Sequence, residues 1–213
     1  MNKEEKVINY YLVCNKLKYI IRSYCKIWNI HNDRLESIAE HVYGVQMLAL
    51  SMYSEFKYDI DIEKVLYMLA IHELGESVIG DITMFDLSHE EKEAKEHEAV
   101  HKILDNLLEG KYIEELFLEF DECKTKEAFF AFQCDKMEAD LQAKIYGDMG
   151  CVDLNDQPNN VALGNKKVRE LLDNGDDFGT MWLEFSQDSY PYDENFKSVS
   201  NYPIEHKLIL NKR

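Results

Sequence analysis

The stretch Val65-Leu66-Tyr67-Met68-Leu69-Ala70-Ile71-His72-Glu73-Leu74-Gly75-Glu76-Ser77-Val78-Ile79-Gly80-Asp81 decides how this chain is read. Its first seven residues are continuously apolar, so the segment belongs in an interior. Four ionisable side chains, His72, Glu73, Glu76 and Asp81, then enter within ten residues. An imidazole or carboxylate carried into apolar surroundings must be paired, hydrogen-bonded or bound to a metal, because desolvation penalises it otherwise. The run therefore marks a site rather than a surface.

Asp61-Ile62-Glu63-Lys64 opens the helix that carries this run, and the helix is expected to pass through His72 and end before Gly80. His72 and Glu76, four apart, then share a face. Upstream, Tyr10, Val13, Leu17, Ile20, Ile21, Tyr24 and Trp28 recur at three- and four-residue steps and predict one amphipathic helix ending between Asn29 and Asp33. Ser37-Ile38-Ala39-Glu40 has the Ser-x-x-Glu form of a capping box, so a second helix starts there and holds His41 in its first two turns. Downstream, a charged helix over Glu90 to Leu108 buries Val100, Ile103, Leu104 and Leu107. Another spans Tyr112 to Cys123, and a long one runs from Lys126 to Tyr146, where Asp135 interrupts the apolar contacts. Beyond Gly147 the chain is rich in turn residues, with shorter helices expected at Val161 to Leu172 and Asp177 to Phe185, followed by an irregular tail.

All three prolines lie at or after Pro158, so nothing in the first 157 residues breaks a helix. The expected fold is all-α: a single helical bundle of residues 1–150, with a C-terminal extension, 151–213, packed on the same domain. A formal charge of −17 and the lack of a basic stripe argue against a nucleic-acid polymer as partner. Small anionic substrates stay open, since a bound cation inverts the local field. The five cysteines are odd in number and show no Cys-x-x-Cys spacing, which fits a reduced cytoplasm. The N-terminus does not read as a signal peptide, and no run reaches the ~18 apolar residues of a membrane span.

His41, His72, Glu73 and Asp135 sit on three separate predicted helices, each in an apolar or small-residue stretch. A lone histidine on an apolar face is more often a satisfied core residue. The ordered set is what argues for ligation. Two imidazoles and two carboxylates suit one divalent transition ion, such as Mn, Co, Ni, Fe or Zn, with positions left for water, hence a catalytic site.

In that order the motifs Glu36-Ser37-Ile38-Ala39-Glu40-His41, His72-Glu73-Leu74-Gly75-Glu76-Ser77-Val78-Ile79-Gly80-Asp81 and Asp135-Lys136-Met137-Glu138 resemble the HD-domain superfamily of metal-dependent phosphohydrolases, within it the 5'-deoxynucleotidase branch. The resemblance covers roughly residues 8 to 146. It implies an HD-type helical bundle in which His41, His72, Glu73 and Asp135 are metal ligands and Glu76 and Asp81 position or activate the attacking water. It also implies that Trp28 lies near the substrate phosphate, and that the protein forms a homodimer. Two positions depart from the pattern. Glu73 stands where the family carries Asp, and the family's Arg beside the tryptophan has no clear match, since Lys26 and Ile27 precede Trp28. Lys26 or Arg34 would replace that bidentate clamp only partly. Ile82 and Thr83, following the glycine turn at Gly80, border the substrate in this reading.

The expected activity is hydrolysis of a phosphate monoester on a small nucleotide such as a deoxyribonucleoside 5'-monophosphate. The alternative is a non-catalytic nucleotide-binding or interaction module in which Glu73 marks a degenerate metal site. His97-Glu98-Ala99-Val100-His101 satisfies His-Glu-x-x-His, the pattern of zinc proteases. Its place after the charge run Glu90 to Glu96, with no close third ligand downstream, reads instead as a solvated helix face.

Overall fold

Helix propensity and the spacing of apolar residues carry nearly the whole chain. The computed structural model describes residues 1–83 and 86–208, and the fold is all-α. Its helices are α1 (Lys3–Cys14), α2 (Ser23–Ile27), α3 (Ile38–Phe56), α4 (Ile62–Ile71), α5 (Glu76–Ile79), α6 (His89–Leu104), α7 (Gly110–Glu122), α8 (Lys126–Asp148), α9 (Lys166–Asp173), α10 (Phe178–Ser189) and α11 (Glu194–Glu205). Among the described residues β-pairing is confined to one isolated antiparallel bridge, Ile21 to Ser37. Among them, too, no helix is long and apolar enough to cross a membrane, and no disulfide joins the cysteines.

The chain divides into two compact units: Met1–Ser23 with Glu36–Phe132, and Tyr24–Leu35 with the chain from Gln133 onward. In the first unit Met68, Ile71, Leu74, Val100, Leu104, Leu116, Phe117 and Ala128 form one buried cluster contributed by α4, the turn after it, α6, α7 and the start of α8. Apolar area of this extent, at about 25 cal/mol per Å² removed from water, is the main force holding the helices together. In the second unit Trp28 packs edge-on against Phe178 at 5.1 Å between ring centroids. Asp140 lies wholly inside that unit, where Ser186 Oγ and Tyr192 Oη donate to its carboxylate at 2.7 and 3.0 Å. Burial pushes the Asp140 carboxyl well above the usual carboxylate range.

The capping box at Ser37 forms as its residues require: Ser37 Oγ accepts from the Glu40 backbone, and the Glu40 carboxylate accepts from the Ser37 N–H. Four expectations are corrected. The stripe from Tyr10 to Trp28 is not one helix. α1 ends at Cys14, a 3₁₀ turn covers Asn15–Lys18, and the backbone then extends to pair with the entry of α3, Ile38 N–H donating to Ile20 O at 2.9 Å and Arg22 N–H to Glu36 O at 3.0 Å. This long-range pairing takes the backbone groups that a continuing helix would need.

The helix after Asp61 likewise ends at Ile71. His72 caps it, and the backbone tightens through i to i+3 bonds from Leu74 to Ile71 and from Glu76 to Glu73 before α5 begins. His72 and Glu76 therefore do not share a continuous helical face. Finally, the tail expected to be irregular forms α11, capped by Asp193, with Pro203 tolerated in its last turn. The charged helix also stops at Leu104, ahead of the expected Leu108, because the chain turns back so closely that a Cβ at Gly110 would meet the Leu104 carbonyl oxygen at 2.0 Å.

Candidate metal centre

The first turn of α3 brings His41 into the interior of the first unit, its side chain fully buried. His72 arrives from the end of α4, with Nδ1 2.8 Å from the Leu69 carbonyl oxygen. Only an Nδ1–H can donate to that oxygen, so the neutral ring presents Nε2 as a lone pair. Glu73 follows directly, and its Oε1 lies 3.6 Å from His41 Nε2 and 3.8 Å from His72 Nε2. The two imidazole centroids are 5.5 Å apart.

One donor atom from each of His41, His72 and Glu73 thus falls within 4.8 Å of the others. Separations of 3.6 and 3.8 Å are too long for hydrogen bonds. They match donors flanking a cation with metal–ligand bonds of about 2.0–2.2 Å. The donor set and the His72 tautomer fit a divalent transition ion. Asp135, the other residue expected as a ligand, lies on α8 in the second unit, buried, with its carboxylate 2.8 Å from Lys136 Nζ.

Around these donors the structure adds cations that the sequence reading did not single out. Arg22 Nη1 donates to Glu73 Oε1 at 3.0 Å, a charge-assisted bond with both side chains largely withdrawn from solvent. The break after the 3₁₀ turn is what aims Arg22 here. The next residue, Ser23, holds the far side of the site: its N–H donates to Asp81 Oδ2 at 2.6 Å and its hydroxyl to the Asp81 carbonyl at 2.5 Å. Asp81 follows Gly80, whose φ of +80° turns the chain out of α5 at low steric cost.

Glu76 begins α5 and is 1% exposed. Its Oε1 lies 3.2 Å from Lys92 Nζ on α6, while its buried Oε2 has no hydrogen-bond partner among the described residues. Burial first, and then the neighbouring Glu73 and Asp81 carboxylates, push the Glu76 carboxyl up to about 9 against the opposing pull of Lys92 and Arg22. A bound dication would oppose that rise and favour the carboxylate.

Ile82 and Thr83 continue the loop after Asp81, and the Thr83 N–H and hydroxyl both donate to the Asp86 carboxylate, at 2.9 and 2.8 Å. Lys26 and Trp28 lie in the second unit, where Trp28 is 2% exposed. The histidines of His-Glu-x-x-His serve α6–α7 packing: His97 Nε2 meets Asp121 at 2.5 Å and His101 Nδ1 meets Glu114 at 3.0 Å. Each ring engages a different carboxylate.

The profile of the family described as "HD domain" matches residues 14–175. Relatives named 5'-deoxynucleotidase include one from Dictyostelium discoideum, 34% identical over 148 residues, 65% of this chain and 76% of that protein. One from Schizosaccharomyces pombe is 35% identical over 127 residues, covering 56% and 63%. The human protein of that name is 30% identical over 126 residues, covering 57% and 60%. The chain therefore spans somewhat under two thirds of the yeast and human relatives. Among solved structures, a conserved hypothetical protein from Pyrococcus furiosus superposes with a TM-score of 0.59 at 30% identity, over 78% of this chain and 97% of that one. A predicted metal-dependent phosphohydrolase from Magnetospirillum magnetotacticum superposes with a TM-score of 0.66 at 18% identity, over 95% and 94%, a likeness of fold.

Proposed function

Because the chain belongs to the HD domain family, we propose that it is a metal-dependent phosphohydrolase acting on the phosphate monoester of a small nucleotide, most directly a deoxyribonucleoside 5'-monophosphate. The observation that carries this reading is the buried convergence of His41, His72 and Glu73 beside the carboxylates of Glu76 and Asp81. In the proposal His41, His72, Glu73 and Asp135 hold one divalent ion, with Asp135 assigned from the order of the motifs. When bound, such an ion would supply positive charge opposite the phosphate and would lower the pKa of water at the site toward neutrality.

The chain's own groups do the rest. Glu76 Oε2 accepts the proton of the attacking water. As the water oxygen bonds to phosphorus, the bond to the sugar 5'-oxygen breaks with its electron pair going to that oxygen, which receives the proton taken up by Glu76, while Asp81, fixed by Ser23, orients the attacking water. Arg22 supplies the bidentate cation for the phosphate, the role left unmatched beside Trp28, which a point charge fills less well. Ile82, Thr83, Lys26 and Trp28 complete the substrate side of the proposal. A reduced, cytoplasmic setting and a homodimer belong to the same reading.

The test is phosphate release from a panel of deoxy- and ribonucleoside monophosphates with and without Mn, Co, Ni, Fe, Zn or Mg. Turnover is expected only with a divalent ion and is lost in Glu76→Ala and Asp135→Ala. If wild type matches the Glu76→Ala control throughout, the phosphohydrolase reading fails, and nucleotide binding without turnover would favour the binding-module alternative.

A further inference from the structure

We infer that Lys92 is a positioning residue for Glu76: it anchors one carboxylate oxygen so that the other faces the reacting water. The inference rests on the proposed phosphohydrolase reading and assigns a role to a helix outside the recognisable motifs.

Glu76 sits in an anionic neighbourhood, with Glu73 three residues before it and Asp81 five after. A carboxylate placed there is repelled by both and needs a fixed cation to hold one orientation. Lys92 provides it from α6, its Nζ 3.2 Å from Glu76 Oε1 and 3.4 Å from Glu96 Oε1 one turn along its own helix. The ammonium is thus gripped from two sides and is only partly exposed. Glu76 Oε2 is left buried, without a hydrogen-bond partner among the described residues. A general base needs that arrangement, one oxygen fixed and one available to accept.

The seat of α6 is itself built for this. A Cβ at Gly75 would lie 3.2 Å from the Cα, Cβ and Cγ of Glu96, so the glycine lets α6 press onto the turn between α4 and α5. Lys92 lies four residues before Glu96 and Glu76 one after Gly75. The same close approach therefore sets the lysine over the carboxylate.

The experiment compares wild type with K92M, K92R, E76Q and the double variant E76Q/K92M, reading steady-state constants on a deoxynucleoside monophosphate, bound metal, and the crystal structure of K92M. K92M is expected to lower kcat about tenfold or more with KM and metal content little changed, and its structure is expected to show the Glu76 carboxylate turned from its present orientation. K92R, which keeps the charge, should restore part of kcat. In the E76Q background K92M should cause little further loss, because the lysine acts through Glu76.

A raised KM with kcat intact would overturn the inference by making Lys92 a phosphate ligand, as would independent losses that multiply in the double variant. An unmoved Glu76 carboxylate in K92M would overturn it whether or not the wild type turns over, whereas wild-type inactivity with every metal would sink the phosphohydrolase reading alone. If K92M does not fold, the structure and kcat of K92R carry the test: a Glu76 carboxylate held in place with most of kcat retained supports the inference, and an active K92R with Glu76 displaced contradicts it.

Discussion

Glutamate reaches one methylene further than aspartate, and at position 73 its Oε1 meets Arg22 at 3.0 Å while standing 3.6 Å from His41 Nε2. The guanidinium offsets part of the anionic charge that Glu73, Glu76 and Asp81 gather in one interior, and its planar fork is the geometry that suits a phosphate. Arg22→Met should therefore raise KM for the nucleotide about tenfold or more while leaving bound metal near the wild-type level. Steady-state kinetics beside metal analysis reads both, and a lost ion with unchanged KM would make Arg22 a support for Glu73 alone. At this scale the candidate ligands His72 and Glu73 were legible because they stand out against an apolar run. Arg22 and Lys92 were not, because their partners lie 51 and 16 residues away in sequence.

Elements follow local rules until another element intrudes. Ser37-Ile38-Ala39-Glu40 caps α3 through bonds within its own four residues, so its helix start could be read directly. The end of α4 could not, because its cause is α6 lying against Gly75, and the unwinding of Tyr19–Arg22 depends on the entry of α3. The helix α11 was hidden by Pro203, which reads as a helix breaker but falls in the last turn, where few bonds remain to lose. Gly75→Ala tests the packing of α6 on the turn. The added methyl, 3.2 Å from Glu96 backbone, should cost about 1 kcal/mol or more in urea unfolding. It should also lower kcat by moving Lys92. Unchanged stability and kcat would show that α6 gives way freely.

For the molecule as a whole, a net charge of −17 and an anionic substrate are compatible only if the site itself is locally cationic. That requirement makes the proposed divalent ion the centre of the account, with Asp135 assigned to it from the order of the motifs alone. The all-α class was legible throughout, since proline-free sequence and apolar periodicity act over short range. The grouping of Tyr24–Leu35 with the chain beyond Gln133 was not, because it depends on long-range packing such as Trp28 on Phe178. The most direct measurement is metal content after loading and desalting, by elemental mass spectrometry, for wild type, Glu73→Ala and Asp135→Ala, with folding checked by circular dichroism. The account predicts about one ion per chain in wild type and a large loss in both folded variants. No ion in wild type, or full retention in both variants, would contradict it.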